Sequence, residues 1–400
     1  MTRTNYLILV VLLGILQAMP SFSIDTSLAA IPAMAGDLTT NAGSIQLTLS
    51  AYVFGAAAGQ LVLSPLSDRY GRKAMMLSGL TLYIAAAIGC VYADSVEMLA
   101  AMRFIQGSST FAGRILPRAM ARDLYDREEA AKLLSYLAVF SGMAPIIAPF
   151  IGAFLLHAEG WQSIFIFMVG YGFLTLVLVA LFLKETLPPE RRVMLGPATM
   201  AANFLTVVRN RAFLSYGACI FCTMGGLMCF LTSSSSVFIL FHKQTPQEYA
   251  YAFGGIMIAY SLFSFIAGRL VSRIGIDGLI HAGAIIGCMS GIAMWGSAVA
   301  GYNTVWALII PMFGYIAALS FILPQATAGA LSPFGHMAGS AMSNLGFIQT
   351  CIAATIAGIS GLLFDGTQMP MVTIIAVMGI GSLASYYGLI RPLKILASEP

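Results

Sequence analysis

Three charged side chains sit inside long apolar stretches where charge is expensive: Asp25, Arg103 and Arg114. A charge near the centre of a bilayer costs about 2.5 to 3.5 kcal/mol on insertion scales, so each marks a functional position by default. Asp25 continues a polar stripe with Gln17 and Ser21, because steps of four keep side chains on one helical face. Arg103, Thr110 and Arg114 fall within about 20° of one face of a straight helix turning 100° per residue. A carboxyl removed from water favours its neutral form, and a nearby guanidinium favours the anion. An acid and an arginine at one depth would therefore change proton affinity as water enters or the arginine moves. That is the chemistry of a proton-coupled carrier. A static ion pair locking two helices is the other reading.

Such residues need helices across a membrane to hold them. Of 400 residues 59% are hydrophobic and 9% charged, and mean hydropathy is +0.87. A soluble chain carries about 25% charged residues, so water-soluble and disordered classes are excluded. A span needs about 20 apolar residues, and twelve stretches qualify: 6–31, 45–64, 74–93, 98–117, 133–156, 162–183, 212–241, 249–268, 278–300, 303–327, 336–363 and 370–390. They are apolar on every face, which disfavours a β-barrel with its alternating strands. The first follows Arg3 like a signal peptide, but it is long, lacks a small-x-small cleavage site and is read as a retained helix. On this count Asp25 lies in the outer half of the first span and Arg103 in the outer half of the fourth, so the two share a depth.

Seventeen of twenty basic residues fall on one side of this layout: Arg69, Arg72, Lys73, Arg118, Arg122, Arg127, Lys132, Lys184, Arg191, Arg192, Arg209, Arg211, Arg269 and Arg273, with Arg3, Arg391 and Lys394 at the ends. Lys243 alone falls on the other side. By the positive-inside rule both termini are cytoplasmic. The net charge of +4 reflects this sidedness and implies no nucleic acid. The six cysteines, Cys90, Cys219, Cys222, Cys229, Cys288 and Cys351, all lie in spans. They are read as buried thiols, and no metal site is expected.

The longest polar connector, with Pro188, Pro189, Arg191 and Arg192, divides the chain into a bundle over 1–183, a linker over 184–211 and a second bundle over 212–400. Met200, Phe204, Leu205, Val207 and Val208 suit either one face of a surface helix or a flexible linker. The loop PLSDRYGR at 65–72 is echoed by RLVSRIGI at 269–276, an offset of 204 residues. Internal symmetry of this kind is a mark of transporter folds. Ser272 stands in the echo where Asp68 stands in the first copy.

The stretch from Gly59 to Lys73 carries Gly59, Asp68, Arg69, Gly71 and Arg72; Asp68 can cap the next helix or pair with basic neighbours. It resembles the signature loop of the major facilitator superfamily. Arg103-x-x-Gln106-Gly107 resembles the fourth-span pattern that in proton antiporters of that superfamily is tied to proton coupling. Gly142-Met-Ala-Pro145-Ile-Ile-Ala-Pro149-Phe-Ile-Gly152 is similar to the fifth-span motif of drug exporters, with Ala144 where many have glycine, and its Ala-Pro repeat is typical of the Bcr/CflA drug-resistance branch, which includes phenicol and bicyclomycin exporters. That branch usually follows its first-span acid with Tyr-Leu-Pro-Ala-x-Pro; here Asp25 is followed by Thr26, Ser27, Leu28, Ala29, Ala30, Ile31 and Pro32.

The resemblance implies an all-α polytopic fold of twelve helices in two pseudo-symmetric six-helix bundles, exporting small, partly lipophilic compounds by alternating access in a bacterial inner membrane. Protons are the expected energy source, with no cofactor, and a monomer is expected. Asp25 and Arg103 are the proton-coupling candidates. Pro145 and Pro149 remove backbone donors and are expected to bend the fifth helix. Candidate cavity liners are Gln17, Ser21, Tyr52, Gln106, Thr110, Arg114, Tyr260, Tyr315, Asn344 and Gln349, and Ser233 to Ser236 suit either substrate or neighbouring backbone. Gly55 with Gly59, and Gly283, Gly287 and Gly291, are read as packing positions. Proton-linked transport of an endogenous metabolite is the alternative on the same fold. A membrane enzyme is disfavoured, because His157, His242, His281 and His336 are scattered and no His-Glu-x-x-His, Gly-x-Ser-x-Gly or P-loop pattern occurs.

Overall fold

A computed structural model describes residues 3–392, apart from 189, 191 and 193–195. Pro189, Arg191 and Lys394 lie outside the described residues, as do the side chains of Arg3, Arg127, Met200 and His336. The described chain is helical, and polar side-chain caps start several of the helices. Asn41 accepts from Ser44 N at 2.8 Å, Asp126 from Glu129 N at 3.0 Å and Asn210 from Phe213 N at 3.1 Å. Thr245 and Glu248 form a reciprocal capping box. Between these caps the sequence is apolar on all sides, which suits helices buried in protein on one face and lipid on the other.

The chain divides into two compact units, Met1–Leu195 and Gly196–Pro400. The first holds α1 (Arg3–Leu28), the short α2 (Ile31–Asp37), α3 (Ala42–Ala58) running through a π-helical turn (Gly59–Leu63) into α4 (Ser64–Tyr70), α5 (Arg72–Val91), α6 (Val96–Ser109), α7 (Phe111–Arg114), α8 (Leu116–Leu124), α9 (Arg127–Glu159) and α10 (Gln162–Phe182). The second holds α11 (Pro197–Val208), α12 (Arg211–Ser236), α13 (Pro246–Val299), α14 (Trp306–Leu331), α15 (Ala338–Leu362) and α16 (Met369–Ser385).

Ten helical stretches among the described residues are individually long and apolar enough to span a membrane. The expected twelve differ from these at two places. The eighth and ninth spans are joined in α13 through Gly275, whose backbone is not helical (φ 73°, ψ 170°). The fourth span, expected as one helix over 98–117, is broken into α6, α7 and α8 at Thr110 and Ile115. Pro117 explains the second break, since it has no N–H for the carbonyl one turn back and its ring crowds that turn. Consequently the single face expected for Arg103, Thr110 and Arg114 does not run unbroken.

Glycines set how closely the helices of the first unit approach. A Cβ on Gly55 would strike the Phe104 carbonyl, one on Gly59 the Ser108 carbonyl, and one on Gly107 the Tyr52 carbonyl. All three lie along the α3–α6 contact. In the second unit, Gly283 and Gly287 face Ala318 of α14, and Gly291 faces Ala376 of α16. Gly55, Gly59, Gly283, Gly287 and Gly291 are the packing positions that the glycine spacing indicated, and Gly107 joins them.

The repeat is written in the backbone as well. Gly71 (φ 96°, ψ 153°) and Gly275 (φ 73°, ψ 170°), 204 positions apart, share an extended conformation with positive φ that a side chain would strain. The polar connector is not a free segment where it is described. Glu185 packs on the first unit, whereas α11 is a helix whose Val207 is fully buried in the core of the second, with Phe204 edge-on to Phe347.

Candidate functional site

Asp25 and Arg103 are both buried, at 5% and 2% exposure, and among the described residues they are the buried charged side chains. They do not pair. The ion pairs among the described residues are Arg72 with Asp68, Arg72 with Asp123, and Arg192 with Glu185. Arg103 instead donates from Nη1 to the Ser23 carbonyl and to Gln106 Oε1, both at 2.9 Å, and from Nη2 to Ser27 Oγ at 3.3 Å. Its guanidinium lies over the rings of Tyr52 (4.6 Å) and Phe165 (5.7 Å). The cation is therefore stabilised by neutral acceptors and π faces rather than by a carboxylate.

The physical reason is the azimuth. Ser23 and Ser27 flank Asp25 in sequence, so Arg103 reaches α1 at the depth of Asp25, as the spacing indicates. At 100° per residue, however, those serines lie about 160° around the helix from Asp25. Asp25 shares its side of α1 with Gly14 and Ala18, and the intimate contact nearby is with α9, where a Cβ on Gly152 would strike the Thr26 carbonyl. The fifth-span motif thus touches α1 one residue beyond the acid. α9 runs as an unbroken helix through Pro145 and Pro149, and Gly142 borders open space.

Pro20 shapes the inner part of the same helix. It removes the N–H that the Leu16 carbonyl would otherwise accept, and α7 closes in there: a Cβ on Gly113 would run into that carbonyl. This brings Arg114 beside α1. Arg114 is half-buried rather than buried, and its guanidinium has no hydrogen-bond or ion-pair partner among the described residues. Thr110 spends its hydroxyl on the Gly107 carbonyl one turn back, at 2.6 Å. Gln17 is buried, and its carboxamide, turned to satisfy both ends, accepts from Arg118 Nε and Nη2 at 3.2 and 2.8 Å. Ser21 is half-buried.

Tyr52 joins these groups. It is 1% exposed, lies under Arg103, and is within electrostatic reach of Arg103, Arg114 and Asp25. Its hydroxyl has no partner at hydrogen-bonding geometry, because the nearby Ser23 hydroxyl is taken by Tyr83 at 2.7 Å. Ser23, Ser27, Tyr83 and Phe165 were not singled out from the sequence. The signal that was available is the second polar stripe on α1, Ser23 with Ser27, opposite the acid. Gln106 is fully buried and turns its amide toward Met168 Sδ at 3.5 Å.

The loop around Gly71 is an ionic knot. Arg72 reaches Asp68 at 2.6 Å, Asp123 of α8 at 2.9 Å and Ser67 Oγ at 2.6 Å. Asp68 therefore pairs rather than caps. The cap on α5 is Glu185, which accepts from Arg72 N at 2.9 Å and Lys73 N at 3.2 Å. Partial burial pushes the Glu185 carboxyl up, but the N–H groups of Leu187, Arg72, Lys73 and Thr186 together outweigh it and hold it below the ordinary 4.5. Arg69 stays over the Tyr70 ring at 5.3 Å. Asp123 and Glu185 lie far from this loop in sequence, which is why the spacing did not disclose them.

In the second unit the candidate liners are dispersed. Tyr315 is buried against Gly226 and donates to the Thr223 carbonyl at 3.3 Å, a packing role. Tyr260, Asn344 and Gln349 are half-buried, and Asn344 Nδ2 has no partner. Ser233 to Ser236 are all buried; Ser233 contacts Ser360 Oγ at 2.5 Å and Ser234 contacts the Tyr249 hydroxyl at 3.1 Å.

The Major Facilitator Superfamily model matches residues 11–358, in keeping with the apolar helices of the two units. The chain belongs to the major facilitator superfamily. Among its relatives are an uncharacterized MFS-type transporter, YdgK, of Bacillus subtilis, 31% identical with 98% of this chain and 97% of the relative covered, and a bicyclomycin resistance protein homolog of Haemophilus influenzae, 29% identical with 97% of each covered. Among solved structures, the nucleoside transporter NupG superposes with a TM-score of 0.74 at 13% identity, covering 98% of this chain and 100% of that one; that likeness speaks to the fold alone. This superfamily member is a multi-pass membrane transporter.

Proposed function

We propose that this transporter exports small, partly lipophilic compounds, antibiotics among them, in exchange for protons. The observation that carries the reading is Asp25: a carboxyl in the interior of α1, without an ion-pair partner, beside the helix that bears the fifth-span motif. The name of the Haemophilus influenzae relative supports the substrate class.

Asp25 without an ion pair is free to change protonation as its access to water changes. Arg103 stays cationic on neutral acceptors throughout, so the charge of the pair of sites swings by one unit with the state of Asp25 alone. Protons arriving from outside neutralise the carboxylate, displace substrate and lower the cost of enclosing the site. Release of the proton on the inner side restores the anion and readmits substrate. Tyr52 of α3 lies under Arg103 and within electrostatic reach of the acid. The positive-inside count supports cytoplasmic termini in the inner membrane of a bacterium. Protons and substrate are the partners of this cycle, and it needs no cofactor.

The test is a susceptibility panel in an exporter-deficient host together with pH-jump efflux from proteoliposomes. Wild type protects the host and drives efflux, and Asp25→Asn, isosteric and still folded, does neither. Proton-driven efflux retained by Asp25→Asn would refute the proposal, and net uptake under an outward-to-inward proton gradient would favour metabolite import on the same fold.

A further inference from the structure

The second copy of the signature loop has lost the acids that neutralise the first. In the first copy Arg72 is held by Asp68 and Asp123. At the matching positions of α13, 204 residues on, stand Ile276 for Arg72 and Ser272 for Asp68, while the glycine between them keeps the same backbone. Arg269 and Arg273 remain, and neither side chain has a hydrogen-bond or ion-pair partner among the described residues. Arg269 lies 4.3 Å over the Phe265 ring, which orients its guanidinium without neutralising it. Together with Ile266, Leu270 and Ser272, these residues line an open cleft of about 480 Å³.

We propose that this cleft binds one anionic phospholipid, its phosphate between Arg269 and Arg273; the Ser272 hydroxyl at its edge donates to the Arg269 carbonyl at 2.9 Å. A planar guanidinium fits a phosphate oxygen pair, and two uncompensated arginines match an anionic headgroup. The apolar side of the cleft selects a lipid over a free phosphate. From Arg269 the helix presents Ile266, Phe265, Leu262 and Ile258, all exposed, at intervals of about one turn. Those eleven residues rise about 16 Å, close to the roughly 15 Å of hydrocarbon in one leaflet, so an acyl chain has a continuous track beneath the headgroup.

The full-length protein in detergent, titrated with palmitoyl-oleoyl phosphatidylglycerol and read by native mass spectrometry, tests this. Wild type retains a first lipid at concentrations about thirtyfold below those needed by the Arg269→Gln/Arg273→Gln double variant, the effect of two surface arginines. Ser272→Asp, which restores the acid of the first copy, weakens retention in the same direction. These side chains are exposed, so melting temperatures stay at the wild-type value. Equal retention by wild type and both weakened variants overturns the proposal. So does equal retention of phosphatidylcholine, which would mean lipid without charge selection, and so does displacement by millimolar inorganic phosphate, which would mean an anion site without the acyl track.

Discussion

If Asp25 and Arg103 act independently, removing both should cost the sum of removing each. We consider Asp25→Asn and Arg103→Gln, singly and together, in a double-mutant cycle of unfolding free energies. A buried ion pair that loses one partner leaves an uncompensated charge and costs about 3 to 5 kcal/mol, most of which the double variant regains. The geometry here predicts otherwise. Loss of the guanidinium leaves Gln106 Oε1 without its donor, about 1 to 3 kcal/mol for a buried polar atom. It also forfeits the contact with the Tyr52 ring, about 2 kcal/mol when desolvated. Ser27 Oγ keeps its bond to the Ile24 carbonyl at 2.8 Å, and the Ser23 carbonyl keeps its place in the helix ladder. Arg103→Gln should therefore destabilise by roughly 3 to 5 kcal/mol, and its coupling to Asp25→Asn should stay below about 0.5 kcal/mol. Denaturant titration of the four proteins in one detergent at pH 7, followed by tryptophan fluorescence, measures all the terms. A coupling above about 2 kcal/mol would mean that the two charges pair, and the reasoning from azimuth would be refuted.

Three further outcomes follow from the same geometry. Gly107→Val drives a side chain into the Tyr52 carbonyl and should lower stability by about 1 to 3 kcal/mol, whereas Gly142→Ala, facing open space, should leave the melting temperature unchanged. Because the Glu185 carboxyl is held below 4.5 in the folded protein, its contribution is fully present above the unfolded value and is lost as pH falls through the folded one. Melting of wild type should therefore fall toward that of Glu185→Gln below about pH 4.5, and a gap between them that does not change with pH would contradict the capping role. Tyr315→Phe removes the bond to the Thr223 carbonyl and should cost about 0.5 to 1.5 kcal/mol with transport intact, since that side chain packs α14 on α12; lost transport with full stability would return it to the cavity.

How much of this was legible depends on distance along the chain. Helical periodicity is local, so the apolar runs, the packing of Gly55 and Gly59, and the repeat carried by Gly71 and Gly275 could be read directly. The break at Thr110 to Leu116 was signalled by Pro117, but an apolar run masks it, because hydropathy does not register a change of axis. Arg72 was legible as a loop cation, yet its acids come from Asp68 nearby and Asp123 on another helix, and only one of those is in reach of a spacing rule.

Amino-acid composition by itself determined that the chain crosses a membrane, because a surface with so few charges does not stay in water. The few charges inside the spans determined which residues to test, and the depth at which Arg103 meets α1 followed from counting. Tertiary structure alone decided which side of α1 it meets. Depth accumulates along the axis at about 1.5 Å per residue, whereas the facing side depends on how neighbouring helices are rotated when their glycines close the gaps. That rotation places Arg103 on Ser23 and Ser27 and leaves Asp25 without an ion-pair partner among the described residues.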